Sequence, residues 1–276
     1  MANERGLVIS APVVISGDSM LIKHAWLDPQ ELRFSLLFWD RLEHPVSQSV
    51  QIAQGSDGDF LEQSEILQRS IWSQPHRRDH LHGEQYIEAY IGVFRSLDKK
   101  EPGVWSIATG ERAVSFGDYD LIAGRGALVQ LYRAIPVPDK DVPLQDILEF
   151  REKRKAELHA LRHHLEAIYQ RILAAGDGAL AMNSAVEALQ IAITNQVKVS
   201  KEARFQFRPV SLNASLNLLK GVSIGIAAFA TGLPLVPTLI AGAVATISIG
   251  PGTSLTWGKP TGTPFRYVSA YHDEVF

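Results

Sequence analysis

The densest set of imidazole groups in the chain is His76-Arg77-Arg78-Asp79-His80-Leu81-His82. On a strand, His80 and His82 would point the same way, and imidazoles beside the Asp79 carboxylate are side chains that bind divalent metals. The set follows Pro75 in a polar stretch, which favours a solvated turn or a partner surface. We therefore predict no metal site there.

Two further patterns have the outline of a chemical motif but lack its remaining parts. His159 and His163 are four residues apart, so a helix would place them on one face, yet no acid completes the HExxH zinc pattern. Gly124-Arg125-Gly126 follows an apolar run but lacks the third glycine and the helix start of a phosphate-binding loop, so we interpret it as a turn before a strand. We predict no catalytic site, no cofactor and no metal, and hence no enzyme.

Composition narrows the function classes further. The chain has 276 residues and no cysteine, which excludes disulfides, thiolate zinc sites and cysteine nucleophiles. Its net charge of −3 comes from intermixed acids and bases, without the clustered Lys and Arg that neutralise phosphates, so nucleic acid is not an expected partner. Residues 1–10 do not follow the pattern of a secretory signal, and we expect a cytoplasmic location.

The stretch near the carboxyl end has an unusual composition for a soluble protein. No charged residue lies between Lys220 and Lys259, and Gly221 to Gly250 contains twelve large apolar side chains among small residues. Burying twelve such side chains is worth roughly 18–36 kcal/mol, so only a core, a partner or a lipid can accept them. The residues expected to insert into a membrane are Val222, Ile224, Ile226, Phe229, Leu233, Leu235, Val236, Leu239, Ile240, Val244, Ile247 and Ile249.

Glycines and prolines divide this stretch into two arms, 216–231 and 238–249. As helices the arms would be about 24 and 18 Å long, shorter than the roughly 30 Å hydrocarbon core of a bilayer. Three geometries stay open: a re-entrant helical hairpin, a kinked single span, or a hairpin of strands shared between subunits, which the alternation in 222–226 favours. The expected hinges are Gly221, Gly232, Pro234, Pro237 and Gly250.

The elements before residue 138 alternate between strand-like and helix-like patterns. Residues 7–15 predict a strand that, because of Pro12, either lies at a sheet edge or is bent. Asp28 followed by Pro29 predicts a helix start, and we expect this helix to end at His44-Pro45. Further predicted elements are an amphipathic helix at 83–97 and strands at 104–108, 113–116 and 127–135. Together they predict a mixed α/β domain over residues 1–138.

The chain after this domain has helical periodicity. Between Leu144 and Ile172, apolar residues recur every three or four positions, a seam that Arg151 and Arg154 interrupt. A break at 176–178 and a second seam predict a long antiparallel helical hairpin over residues 139–205. The seam is interpreted as an intramolecular core, or alternatively as an oligomerisation stalk in which the two arginines contact a partner. The whole is an α+β chain that closes, over 206–276, with an apolar Gly-rich hairpin and a C-terminal strand.

Two of these stretches resemble an uncharacterised family of bacterial proteins. They are Leu32-Arg33-Phe34-Ser35-Leu36-Leu37-Phe38-Trp39-Asp40, and residues 135–138 followed by 144–151. The resemblance covers roughly residues 1–170, together with 264–268. Some members are associated with phage-defence loci, so the resemblance implies a bacterial cytoplasm and a role in immunity, but it carries over no catalytic residue.

These observations lead to one expected function and one alternative. The expected function is a membrane-directed, pore-forming effector, kept soluble by sheltering residues 221–250 against the helices of 144–201 until a trigger releases them. Its expected partners are membrane lipid, a protein partner or sensor, and further copies of the chain, and it is expected to be recruited from the cytoplasm to the membrane. The alternative is a soluble recognition or scaffold subunit whose C-terminal apolar segment is structural core.

Overall fold

The computed structural model describes residues 4–16, 19–47, 52–72, 82–109, 113–116, 123–137, 141–199 and 263–275. The strands are β1 Gly6–Val8, β2 Val13–Ser16, β3 Ser19–Ile22, β4 Arg41–Ser47, β5 Leu67–Trp72, β6 Trp105–Ile107 and β7 Val114–Phe116. The helices are α1 Pro29–Phe38, α2 Gly55–Gln63, α3 His82–Lys100, α4 Ala123–Arg133, α5 Leu144–Lys153, α6 Lys155–Ala174, α7 Gly178–Val199 and α8 Arg266–Glu274.

A parallel sheet forms the centre of the N-terminal half. Its strands lie in the order β5-β4-β1-β6, and every neighbouring pair is parallel. The side chains of Leu7 and Val8 on β1 are 0% exposed, as expected for a strand covered on both faces. Gly6 is required beside Trp105, since a Cβ at residue 6 would lie 2.4 Å from the indole ring.

A second, smaller sheet continues from the first. It has the order β3-β2-β7, with β2 parallel to β7 and antiparallel to β3. The single strand predicted at 7–15 is two strands, β1 and β2, which lie in different sheets and are joined through Pro12. The amphipathic helix predicted at 83–97 and the strands predicted at 104–108 and 113–116 are confirmed, as α3, β6 and β7.

Two sequence-based predictions before residue 138 are wrong: the end of one helix and the type of the element at 127–135. The helix that starts at Asp28 ends at Phe38, and His44-Pro45 lies inside β4. Proline fits there because β1 pairs only with residues 41–43 of β4. On the β1 side of β4, no neighbouring strand therefore needs the backbone N–H that Pro45 lacks. The strand predicted at 127–135 is helix α4, because a short apolar run does not distinguish a strand from a buried helix.

The helical half confirms the predicted hairpin. Helices α6 and α7 pack together and are separated by a break at 175–177, and the predicted seam residues, such as Leu165 and Leu189, are buried. The long first helix is interrupted at Arg154, whose φ of −107° and ψ of 25° separate α5 from α6. Because α1 packs against α5 and α4 against α6, one buried cluster extends across residue 138.

The end of the chain differs from its prediction. Residues 266–274 form helix α8 where a strand was expected. Tyr267, Val268 and Tyr271 are each 0% exposed, and their spacing of one and four residues places them on one face of a helix. An alternating strand would have divided these side chains between two faces.

Candidate functional site

The predicted membrane-inserting and hinge residues lie within 200–262, outside the described residues. The structure therefore describes this candidate site by its two ends. The described chain stops at Val199, the last residue of α7, and resumes at Thr263, just before α8. Thr263 Oγ1 donates a hydrogen bond to Gln196 Oε1 at 2.8 Å, so the two ends lie side by side on one body.

Helix α8 holds the second of these ends in the core. Phe265, Tyr267, Val268 and Tyr271 are between 0 and 7% exposed. Burying four such side chains is worth roughly 6–12 kcal/mol, which is similar to the whole stability of a typical domain. Undocking α8 would therefore expose a large apolar surface that the folded protein keeps from water.

Hydrogen bonds fix the orientation of α8. The Tyr267 hydroxyl donates to the Leu37 carbonyl at 2.8 Å, and the Tyr271 hydroxyl donates to the Pro136 carbonyl at 2.5 Å. Burial raises the pKa of both phenols, more than the positive charge of Arg151 lowers that of Tyr267. Both hydroxyls therefore stay protonated and remain donors. The Phe150 ring packs on Tyr267, with ring centroids 5.2 Å apart.

The interruption of the seam at Arg151 has a structural explanation. The Arg151 guanidinium donates to the carbonyls of Leu36 at 3.0 Å and Trp39 at 2.5 Å, where α1 ends. Arg162 donates to the Phe38 carbonyl at 2.8 and 3.0 Å. The last carbonyls of a helix lack intrahelical partners, and α1 has no basic residue in its own last turn. Arginines of α5 and α6 thus cap α1.

An acid completes this capping cluster. Arg162 donates to Asp40 Oδ2 at 2.8 Å, and so does the backbone N–H of Arg5. Burial alone would raise the pKa of Asp40, but the hydrogen bond and charge of Arg162, with help from Arg5 and Arg151, hold it below its usual value. Asp40 therefore stays ionised, and the cluster has a stable pair of opposite charges.

Arg154, the second predicted partner contact, binds within the chain. Its guanidinium pairs with Glu157 at 3.1 Å and with Glu274 of α8, which also pairs with Lys153 at 2.6 Å. The hydrogen bond from Lys153 holds the pKa of Glu274 below its usual range, and Arg154 adds to this effect against a smaller effect of burial. These ion pairs connect the C-terminal end of α8 to the junction of α5 and α6. A contact of Arg151 or Arg154 with another chain remains a prediction.

The carboxyl edge of the parallel sheet is filled by protein. In open α/β sheets, ligands bind where the strand order reverses, which here is between β1 and β6. The Tyr90 hydroxyl lies 2.8 Å from the Val8 carbonyl oxygen and 2.6 Å from that of Ala108, so a side chain of α3 occupies this position. Ser10 and Thr109, the polar residues that follow, are each 1% exposed. This arrangement is a packed core.

The other motifs have mixed outcomes. Residues 76–81 lie outside the described part of the chain, and His159 and His163 lie on α6. In the part described, no group of three or more His, Asp or Glu is placed to hold a metal ion. Gly124-Arg125-Gly126 lies in the first turns of α4 instead of a turn before a strand.

One motif was missed by the sequence reasoning. Gly221-Val222-Ser223-Ile224-Gly225 has the Gly-x-Ser-x-Gly spacing of a nucleophile elbow. That motif acts only at a sharp turn between a strand and a helix, with a histidine and an acid nearby. Residues 221–225 are outside the described residues, so Ser223 is assigned no role.

Within the described ranges, no helix combines the length and the apolar character needed to cross a bilayer.

Comparison with known proteins assigns the chain to a family. The model of a family of unknown function, DUF6236, matches residues 27–275, which confirms the resemblance to an uncharacterised family. No curated protein and no solved structure matches the chain. The matched range begins after β3 and therefore does not include β1, which is an inner strand of the central sheet. The association with phage-defence loci stays a prediction.

Proposed function

Since the chain belongs to the family of unknown function DUF6236, which supplies no activity, we propose from its own residues that it is a membrane-directed effector. Residues 221–250 enter the bilayer, and the folded body carries them. The observation that supports this most is the absence of any charge between Lys220 and Lys259. Charged side chains cost several kcal/mol each within a bilayer, so a stretch without them meets the main condition for entry.

The described body is suited to present such a stretch. Its buried cluster is built from residues on both sides of 200–262, and the ends of that range meet at Gln196 and Thr263. Release of the stretch would leave the contacts of α7 and α8 in place. The effector is soluble until a trigger releases the stretch, and several copies together open the membrane.

The experiment is dye release and flotation with liposomes, using protein as purified, loosened with sub-denaturing urea, or mixed with a bacterial lysate as a source of partners. Ile224→Asp places a charge in the stretch and is expected to abolish both signals. Leu180→Asp adds the same charge on α7, at a side chain that is already 64% exposed, and is expected to behave as the wild type. If the wild type fails to float and fails to release dye in every one of the three conditions, the proposal is overturned.

The proposed setting is bacterial defence, in which the cytoplasmic protein is recruited to the membrane during infection. This setting follows from the resemblance of residues 32–40 and 144–151. Phage plating on cells that express the wild type or Ile224→Asp tests it. Equal plating on the two strains would remove defence as the setting and leave the membrane activity to be judged by the liposomes.

A second candidate is a soluble recognition or scaffold subunit. A surface at the edge of the small sheet favours it: Leu21 is 62%, Ile22 43% and Trp26 49% exposed, and β3 is an edge strand. Exposed apolar edges add a strand or a partner surface in many complexes. In the liposome experiment, such a subunit stays with the soluble fraction, and Leu21→Asp would weaken its capture of a partner.

A further inference from the structure

We infer that the outer edge of β3 is the contact between two copies of this chain, which pair as antiparallel strands about a twofold axis through Leu21. This inference goes beyond the proposed function, because the pairing does not depend on whether the chain enters a membrane. It names a second copy as the partner that this edge fits, where the second candidate function would place a strand of another protein.

The first support is the unprotected character of this edge. β3 lies at the end of the order β3-β2-β7, so in the described part of the chain it has a strand neighbour on one side only. Leu21 and Ile22 are 62% and 43% exposed, and Ser19–Ile22 contains neither a charge nor a proline. Edge strands usually carry such residues, because these prevent pairing with another chain. β5, at an edge of the larger sheet, has Arg69, which pairs with Glu62 at 3.0 Å.

The second support is the direction of the backbone groups of β3. The N–H of Lys23 donates to the Pro12 carbonyl at 2.9 Å, on the side of β2. In an antiparallel pair of strands, hydrogen-bonded and non-hydrogen-bonded residue pairs alternate, so Leu21 also faces β2 with its backbone groups. The N–H and C=O groups of Met20 and Ile22 therefore point to the opposite edge, where an added strand would bind.

These directions define a register that is symmetric about the middle of β3. When Met20 of one copy lies opposite Ile22 of the other, every outward N–H and C=O of both strands is hydrogen-bonded. The two Leu21 residues then lie directly opposite each other on the twofold axis. They form a non-hydrogen-bonded pair, with Cα atoms about 4.5 Å apart, in which side chains approach most closely. Each exposed leucine is thus covered by the other.

The third support is the placement of charge beside the strand. In this register, Lys23 of one copy lies opposite Ser19 of the other. The two Lys23 residues are then four positions apart along the strands, or about 14 Å. This distance exceeds the Debye length of about 8 Å at physiological ionic strength, so their repulsion is screened. A parallel pair of β3 strands would place the two lysines side by side, and for this reason the antiparallel pair is favoured.

Sedimentation of the full-length protein, from micromolar concentration up to its limit of solubility, tests the inference. The wild type is expected to form a dimer reversibly. Leu21→Asp places two carboxylates opposite each other on the axis and is expected to raise the dissociation constant of the dimer at least about tenfold. Leu180→Asp, which adds the same charge at an exposed leucine of α7, is the matched control and is expected to dimerise as the wild type does.

A wild type that is monomeric at every concentration would overturn the inference and leave the edge to a strand of another protein or to a further segment of the same chain. A Leu21→Asp dimer as tight as that of the wild type would overturn it as well. These measurements use no lipid, so their failure is distinct from a failure of the liposome experiment.

Disulfide formation tests the register, and it does not depend on a disruptive substitution. The chain contains no cysteine, so each variant carries a single thiol. Leu21→Cys is expected to form a disulfide between copies under mild oxidation, because disulfides join Cα atoms about 4.4–6.8 Å apart. Ile22→Cys would place its two Cα atoms about 8 Å apart and is expected to cross-link about tenfold less. Leu180→Cys measures random collision, and cross-linking of Leu21→Cys at no more than the level of either other variant would overturn the inference.

Discussion

At the scale of single residues, the charged side chains of the core serve the ends of other elements. Arg151 and Arg162 supply donors to α1 carbonyls that lie 115 and 124 residues earlier in the chain. Replacing either arginine would leave buried carbonyls without donors, and replacing Arg162 would also leave Asp40 without its main partner. The two arginines within a helical seam are therefore explained by the end of α1, whether or not the chain forms oligomers.

A buried histidine on β4 makes stability depend on pH. His44 is 0% exposed, and neither of its ring nitrogens has a hydrogen-bond partner in the described part of the chain. Burial, reinforced by the charge of Arg69, lowers its pKa to about 4 from an ordinary 6.5. Between these values the unfolded chain binds a proton that the folded chain does not. The stability contributed by the neutral imidazole is therefore complete above pH 6.5 and is lost towards pH 4.

We predict that the free energy of unfolding falls between pH 7 and pH 5 by up to about 1.4 kcal/mol per pH unit below pH 6.5, and that His44→Leu reduces this fall. Urea unfolding at the two pH values measures it. The control is Leu180→Ala, which changes an exposed side chain of α7 that carries no titratable group and should leave the pH dependence of the wild type. A fall of equal size in His44→Leu would assign it to other groups.

At the scale of elements, a local signal determined where α1 begins, and distant contacts accompany its end. Asp28 caps α1 as predicted, accepting hydrogen bonds from the backbone N–H groups of Gln30 and Glu31 at 2.9 Å. The end of α1 at Phe38 coincides with capping by Arg151 and Arg162, which no sequence window around α1 contains. Helices α4 and α8 were predicted as strands for a related reason. A short apolar run is compatible with either a strand or a helix, and the packing of the surrounding elements decides which of the two forms.

Helix α8 provides the prediction at this scale. Tyr267→Phe removes the hydrogen bond to the Leu37 carbonyl and is expected to cost about 0.5–1.5 kcal/mol. Tyr267→Ala also leaves a cavity beside Phe150 and is expected to cost about 3–5 kcal/mol. Guanidinium unfolding measures both, with Asp273→Ala on the exposed face of α8 as a control expected to stay within about 0.5 kcal/mol of the wild type. A small cost for Tyr267→Ala would mean that α8 does not anchor the chain.

At the scale of the whole molecule, the two halves share one core, to which α7 and α8 on either side of residues 200–262 both belong. The cluster of buried side chains runs from the parallel sheet through α1 and α4 to the helical hairpin and α8. Since Gln196 and Thr263 are in contact, the body can close without the residues between them. From this arrangement we predict that residues 200–262, which are proposed to enter lipid, are separate from the part of the chain that gives stability.

Replacing residues 200–262 by a short Gly/Ser linker tests that separation. The expected product folds, and its free energy of unfolding rises by roughly 1–2 kcal/mol because a shorter loop costs less entropy to close. It should also lose flotation with liposomes. Circular dichroism and urea unfolding, with protease sensitivity of α8 as a further readout, measure the result. An unfolded product would mean that residues 200–262 belong to the core, as in the scaffold alternative.

The sequence by itself determined the features that depend on neighbouring residues: the Asp28 cap, the seams of α6 and α7, the amphipathic α3 and the lack of charge between Lys220 and Lys259. Each is a pattern of side chains along one continuous segment of the chain, so it can be recognised without knowing the tertiary contacts. Only the tertiary structure decided the capping of α1 by arginines, the filling of the sheet edge by Tyr90 and the meeting of Gln196 with Thr263. Those features join residues that are distant in sequence, and their energies arise only after the chain has closed on itself.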